Sequence, residues 1–117
     1  MAETTQLELV TPARVMLSKS VEMVVIPGSE GLFGVLVHHA PVLANLQRGV
    51  VEVHEGGKII DRIMIDGGVA DVTENGVTIL AERAENLDTA SSQEVRERAL
   101  ASTGADAEFL TLVAEAL

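Results

Sequence analysis

Residues 49–81, with the sequence GVVEVHEGGKIIDRIMIDGGVADVTENGVTILA, decide the fold class. They contain four runs rich in β-branched residues, at 49–55, 58–65, 68–73 and 76–81. Gly56-Gly57 separates the first two runs, and a turn containing Asn75-Gly76 separates the last two. Gly and Asn accept the left-handed backbone angles of tight turns, so both junctions favour β-hairpins. Two hairpins in series predict an all-β sandwich.

Apolar residues occupy both alternating phases of several of these runs. In 58–65, for example, Ile59 and Ile63 alternate with Ile60 and Met64. A strand that is apolar on both faces belongs inside a sandwich or barrel, or carries one face that meets a partner. Upstream, LELV at 7–10 and SVEMVVI at 20–26 are further predicted strands, and LFGVLV after Gly31 has the same character.

From Leu87 onward the composition changes to Ala and Glu. Ser91 and Glu94 have the spacing of a capping box, which predicts a helix from there to about residue 102, closed by a left-handed Gly104. A second helix is predicted over 106–116, with an apolar stripe of Phe109, Val113 and Ala116. We therefore expect two units, a β-sandwich domain over 1–86 and a helical hairpin over 87–117.

The charge balance excludes several classes of function. The chain has 18 acidic and 8 basic residues, a net charge of −10, and no cysteine. A nucleic-acid-binding protein needs a basic stripe, and anionic lipid repels an acidic chain. No disulfide or thiolate metal site can form without cysteine. The N-terminus lacks the pattern of a signal peptide, and no apolar run is long enough to span a bilayer, so we expect a soluble protein of the cytoplasm.

No residue pattern indicates catalysis. His38 and His39 are adjacent, so in a strand they point to opposite faces and cannot share a metal ion. Gly28, Gly31 and Gly34 are spaced like a phosphate-binding loop, but the residues that follow them favour a strand instead of the required helix N-terminus. We expect no catalytic residue, no metal and no cofactor, and hence no enzyme.

Leu32 and Phe33 lie between two glycines, in a segment that resembles a turn. Two interpretations remain open from the residues alone. The side chains fold into the core, or they form an exposed apolar tip of the kind that marks a protein–protein contact. Composition and pattern thus predict a small β-rich binding domain with a helical tail.

The order and spacing of several motifs resemble the epsilon subunits of the bacterial F-type (rotary) ATP synthase. The matching anchors cover most of residues 6–88: Pro27-Gly28-Ser29-Glu30-Gly31 with Gly34, His39-Ala40-Pro41, Gly67-Gly68 with Val72, and Val77 to Ala81. This resemblance implies a ten-stranded β-sandwich followed by a two-helix hairpin. It also implies a non-catalytic subunit of the rotating central stalk, peripheral to the cytoplasmic face of the bacterial inner membrane, that couples proton-driven rotation to ATP synthesis.

The resemblance further implies partners and contact residues. The ring of proton-translocating c subunits is expected to meet Ser29, Glu30, Gly31, Leu32, Phe33 and His39. The gamma subunit is expected to meet residues within 42–49, namely Val42, Leu43, Leu46 and Arg48. The helical tail is expected to contact a further partner, the alpha/beta hexamer.

The tail departs from this pattern in two ways. Its second helix carries Asp106, Glu108 and Glu115 without any Lys or Arg, whereas inhibitory tails in the family use basic residues against acidic beta segments. Ser91 stands where ATP-binding relatives carry an arginine after Leu-Asp. Weak or lost inhibition of ATP hydrolysis and weak or absent ATP binding are therefore expected. An ATP-sensing subunit and a generic β-sandwich adaptor remain the alternatives.

Overall fold

The computed structural model describes residues 3–38 and 40–117. Within these ranges the chain forms ten β-strands followed by two α-helices. The strands are β1 Thr5–Val10, β2 Val15–Val21, β3 Met23–Gly28, β4 Gly31–Leu36, β5 Val42–Leu46, β6 Gly49–Glu55, β7 Lys58–Ile65, β8 Gly68–Thr73, β9 Gly76–Ala81 and β10 Ala84–Asn86. The helices are α1 Ser92–Ala101 and α2 Gly104–Ala116. The expected ten-stranded sandwich with a two-helix hairpin is confirmed.

The strands are connected in the order β10-β7-β6-β3-β5-β8-β9-β1-β2, and β4 pairs with the other edge of β3. β3 links the two layers, because its first half pairs with β6 and its end, at Gly28, pairs with Leu46 of β5. The first layer therefore contains β2, β1, β9, β8 and β5, and the second contains β4, β3, β6, β7 and β10. All strand pairs are antiparallel except β1 with β9.

The core lies between these layers and consists almost entirely of aliphatic side chains. Its completely buried members include Leu7, Ile26, Ile63, Ile65 and Ile79. Phe33 is a half-buried aromatic at its margin. Interiors of this kind pack as densely as organic crystals, so the sandwich is a stiff body.

The predicted strand over 20–26 is wrong at one point, because β2 ends at Val21 and β3 begins at Met23. Val21 and Val24 are both fully buried. In a continuous strand, residues three apart face opposite sides, so the chain bends at Glu22 to bury both. The first part of β2, the whole of β5 and the short β10 were not predicted from the sequence.

The helical hairpin follows the predicted signals closely, with one correction. Ser91 caps α1, and its hydroxyl accepts a hydrogen bond from the N–H of Glu94 at 3.4 Å. Gly104 has the predicted left-handed φ of +62°, but it opens α2 and does not close α1. The reason is that α1 already ends at Ala101, where the Ser102 hydroxyl donates to the carbonyl of Arg98 at 2.8 Å.

The hairpin has its own apolar cluster beside the second layer. The cluster is formed by Leu87, Val95, Phe109, Leu110, Val113 and Ala114. Val50 of β6 and Met64 of β7 face outward from the sandwich and pack against it. Neither helix of the described chain is long and apolar enough to cross a membrane.

Candidate partner-binding surfaces

The β3–β4 turn is a tight reversal that glycine makes possible. Gly28 pairs with Gly31, so the turn itself is Ser29-Glu30. A Cβ on Gly28 would lie 2.9 Å from the Gly31 carbonyl oxygen and 2.9 Å from the Phe33 ring. The close approach of the two strands therefore requires glycine at position 28.

The β5–β6 turn braces the base of this loop. The Gln47 side-chain amide donates to the carbonyl of Gly28 at 2.9 Å, and the Gln47 N–H donates to the carbonyl of Pro27 at 3.0 Å. The Ser29 N–H donates to the carbonyl of Asn45 at 2.9 Å. Because these bonds fix both sides of its base, the turn projects from the sandwich as a rigid feature.

Both interpretations of Leu32 and Phe33 hold, one for each residue. Strand alternation places the Phe33 side chain against the core and leaves Leu32 71% exposed. Ser29, Glu30 and Gly31 are also exposed. We call Ser29–Leu32 the apolar-tipped turn. The expected contact at His39 lies outside the described residues.

The four residues expected to meet gamma have different environments. Leu43 is 73% exposed on the outward side of β5, and Val42 is partly exposed at the start of the same strand. Leu46 belongs to the core and is only 7% exposed. Arg48 forms ion pairs with Asp66 and with Glu108 of α2. Only Val42 and Leu43 therefore offer apolar side chains to a partner in this structure.

A second apolar surface, which the sequence analysis did not single out, crosses the outer side of the first layer. The strand register aligns Val69 of β8, Leu80 of β9, Val10 of β1 and Val15 of β2. Leu80 is 52% exposed and Val15 is 61% exposed, although both belong to a sheet whose other side is core. We call these four residues the outer row. Leu43 lies on the same side, one strand further along.

The residue pattern did contain a signal for the outer row. β8 and β9 carry Val69 and Leu80 at positions that alternate with the buried Ala70 and Ile79. An apolar residue in the solvent-facing phase of a strand indicates a face that meets a partner. The sequence alone does not show which of the two alternating sets of residues in β8 and β9 faces outward, because this depends on how the strands pair in the sheet.

A groove of about 790 Å³ separates the sandwich from the hairpin. Arg14, Arg83 and Arg98 line it together with acidic residues, among them Glu82, Glu85, Glu94 and Asp106. The guanidinium of Arg98 donates to the nearly buried carboxylate of Glu85, and this hydrogen bond raises the pKa of Arg98. Two of the three groove arginines are therefore paired with acids of the chain, which leaves little positive charge for an anionic ligand.

The histidines do not form a metal site within residues 3–38 and 40–117, and no group of three potential ligands occurs there. His38 Nε2 lies 3.2 Å from a carboxylate oxygen of Glu3, and His54 Nε2 lies 3.2 Å from one of Glu52. The two pairs have no residue in common. The arrangement offers surfaces for contact.

A stiff β-sandwich with a braced apolar turn and an apolar row on its outer side has the features of a protein-binding domain. A profile of the family described as ATP synthase, Delta/Epsilon chain, beta-sandwich domain matches residues 4–87. The chain belongs to this family. The match covers the sandwich up to the first residue after β10.

Individual relatives agree with the family match. The chain is 48% identical over 98 residues to the ATP synthase epsilon chain of Rhodospirillum rubrum, covering 84% of this chain and 73% of that one. It is 41% identical to the epsilon chain of Paramagnetospirillum magneticum, covering 100% of this chain and 96% of the relative. The epsilon chain of Hyphomonas neptunium is 52% identical over 95 residues, covering 81% of this chain and 70% of its own length.

Two solved assemblies contain chains of similar structure. One is the mitochondrial ATP synthase of Euglena gracilis, resolved as OSCP, F1 and c-ring, with a TM-score of 0.67 and 29% identity over 96% of this chain and 73% of that chain. The other is the central stalk and c-ring of the Tetrahymena thermophila mitochondrial enzyme, with a TM-score of 0.61 and 17% identity over 80% and 71% of the two chains. At 17% identity, the similarity to the Tetrahymena thermophila chain shows a shared fold and nothing more.

Proposed function

We propose that this chain is a non-catalytic subunit of the rotating central stalk of an F-type ATP synthase. It binds the gamma subunit on one side and the ring of c subunits on another, and so couples proton-driven rotation to ATP synthesis. It acts as a peripheral protein on the cytoplasmic face of the bacterial inner membrane. Family membership and the similarity to a chain of an assembly that contains OSCP, F1 and c-ring support this function.

The observation that carries the proposal is the presence of two apolar surfaces on one stiff body. A coupling subunit must be fixed to both the shaft and the ring, because a soft joint would absorb rotation. The apolar-tipped turn and the outer row lie on separate parts of the sandwich, and dense packing connects them. We assign the apolar-tipped turn to the ring and the outer row, with Val42 and Leu43, to gamma.

The gamma assignment is tested by placing a charge in the outer row. Leu80→Glu introduces a carboxylate at an exposed position, so the sandwich should stay folded while an apolar interface would have to bury a charge. We expect this variant to lose binding to purified gamma subunit of Rhodospirillum rubrum in a pull-down. Ile59→Glu, at an exposed apolar position on the second layer, is the matched control and should bind normally. Normal binding by Leu80→Glu would refute the assignment.

The ring assignment is tested by cross-linking. The chain has no cysteine, so Leu32→Cys introduces a unique thiol at the apolar-tipped turn. In the assembled synthase this thiol should cross-link to cysteines placed in the polar loop of a c subunit. Asn75→Cys, in the exposed β8–β9 turn, is the control and should give no such product. Equal yields at both positions would contradict the proposed orientation.

Weak or lost inhibition by the tail forms part of the same proposal. Asp106 and Glu108 of α2 are paired with sandwich arginines, and α2 carries no basic residue. An acidic helix would be repelled by an acidic partner segment. The pairing of Arg98 with Glu85 likewise supports weak or absent ATP binding in the groove, against an ATP-sensing role.

A further inference from the structure

Five charged side chains form a continuous series of ion pairs between the sandwich and α2. Asp66, the residue that follows β7, is the centre of the series. Its Oδ1 accepts a hydrogen bond from Arg48 Nε at 2.9 Å, and its Oδ2 accepts one from Arg83 Nη1 at 3.2 Å. Arg48 Nη1 then reaches Glu108 at 3.2 Å, while Arg83 Nε donates to Asp106. Each arginine therefore bridges one sandwich carboxylate oxygen and one α2 carboxylate.

The two acids at the ends of the series lie on different sides of α2. Successive residues of an α-helix are about 100° apart, so Asp106 and Glu108 project about 200° apart around the axis. Arg48 comes from the β5–β6 turn and Arg83 from the segment between β9 and β10. The arginines thus hold the beginning of α2 from two sides, with Asp66 between them.

Other contacts between α2 and the sandwich are sparse. Thr103, the residue before α2, makes no side-chain hydrogen bond to cap the helix. The apolar side chains of the hairpin cluster mainly contact one another. Among the residues that the structure describes, the sandwich adds to them only the half-buried Val50 and Met64, from its outer side. Acidic residues near a helix N-terminus also stabilise the helix itself, because their negative charge interacts favourably with the helix dipole.

We propose that the five-residue series Glu108–Arg48–Asp66–Arg83–Asp106 is an electrostatic clamp that keeps the helical hairpin docked on the sandwich. The acids of α2 are intramolecular ligands of Arg48 and Arg83, and Asp66 positions both arginines. Docking is consequently sensitive to ionic strength, because the α2 acids are mostly exposed. This docking is a property of the isolated chain and is independent of the rotor function proposed above.

Spin-label distance measurements on the full chain test the clamp. Because the chain lacks cysteine, Asn75→Cys and Leu100→Cys place one label on the sandwich and one on the exposed side of α1. The otherwise unchanged chain should give one narrow distance distribution at low salt. Adding Asp106→Asn and Glu108→Gln removes the hairpin half of the clamp and leaves the Arg48–Asp66–Arg83 pairs intact. We expect this variant to show a broad distribution with longer distances.

A second pair of substitutions gives the matched control. Glu97→Gln with Glu115→Gln removes the same amount of charge from the hairpin, at exposed positions that form no ion pair with the described part of the sandwich. This control should keep the narrow distribution. If the Asp106→Asn, Glu108→Gln variant also keeps it, the clamp does not hold the hairpin. Release in both variants would attribute docking to overall charge and would equally overturn the proposal.

Two further measurements test the centre of the clamp and its dependence on salt. Asp66→Asn removes the group that positions both arginines and should release part of the hairpin population, whereas an unchanged distribution would exclude that role. Raising the salt from about 20 mM to about 1 M shortens the screening length to about 3 Å. At high salt, the labelled chain with an intact clamp should show a distance distribution close to that of the Asp106→Asn, Glu108→Gln variant. A distance distribution that salt does not change would contradict an electrostatic clamp.

Discussion

At the scale of single residues, Gly68 shows how closely β8 and β9 approach. Its φ is +139°, and a Cβ there would lie 2.1 Å from the Leu80 carbonyl oxygen and 2.9 Å from the Ala81 Cα. Both are backbone atoms, so β9 itself would have to move. We expect Gly68→Ala to lower the free energy of unfolding by at least about 2 kcal/mol, from overpacking and an unfavourable φ together. Urea unfolding followed by circular dichroism measures the loss.

Gly57→Ala separates the two causes. Gly57 also has a positive φ, +77°, but a Cβ there would meet nothing within 4 Å. The substitution should therefore cost only the left-handed conformation, about 1–2 kcal/mol. A loss as large as that of Gly68→Ala would show that backbone conformation, and not the contact with β9, makes glycine necessary at position 68.

Residue patterns could predict some side-chain roles and not others. Ser91 and Glu94 are three residues apart, so the helix cap could be predicted from local spacing alone. The environments of Leu46 and Arg48 could not. The buried phase of the short strand β5 depends on its pairing with β8, and the Arg48 partner Glu108 lies 60 residues further along the chain.

At the scale of elements, the strands bounded by tight turns were predicted with their observed bounds. β6, β7 and β8 each end, and β9 begins, at a turn whose glycine or asparagine is visible in the sequence. The bend at Glu22 and the short β10 have no such local signal, because burial in the core and pairing with β7 determine them. Local turn residues determine the bounds of the hairpin strands, whereas tertiary packing determines where the other strands end.

The helical hairpin depends on its small apolar cluster, and Phe109 is the largest member. Its side chain is 2% exposed, and a buried Phe→Ala substitution costs about 3–5 kcal/mol. Helices of 10 and 13 residues are marginal by themselves. We expect Phe109→Ala to reduce the helical circular dichroism signal while the urea midpoint of the sandwich stays unchanged.

Leu100→Ala is the control for this prediction. Leu100 lies on α1 and is 89% exposed, so its truncation should leave the helical signal as it is. If Phe109→Ala unfolded sandwich and hairpin together, the hairpin would be an integral part of the sandwich fold and not a separately melting element.

At the scale of the whole molecule, charge is distributed so that the two units attract each other. The chain carries a net charge of −10, yet Arg48, Arg83 and Arg98 all face acids across the boundary between sandwich and hairpin. Hydrogen bonds with Asp66, Asp106 and Glu85, respectively, raise the pKa of the three arginines. A raised arginine pKa stabilises the fold at every pH below the ordinary arginine value. Arginine is charged throughout the neutral range in any case, so this stabilisation does not vary with pH there.

A docked, acidic hairpin leads to a prediction for the assembled synthase. A hairpin held on the sandwich as we propose would not reach the alpha/beta hexamer, and its acidic second helix would be repelled by acidic segments there. Deleting residues 88–117 should therefore leave the rate of ATP hydrolysis unchanged in a synthase reconstituted with this chain. The sandwich retains both apolar surfaces, so the truncated chain should still bind gamma. A several-fold rise in hydrolysis, with gamma binding preserved, would show that the hairpin leaves the sandwich and inhibits the enzyme.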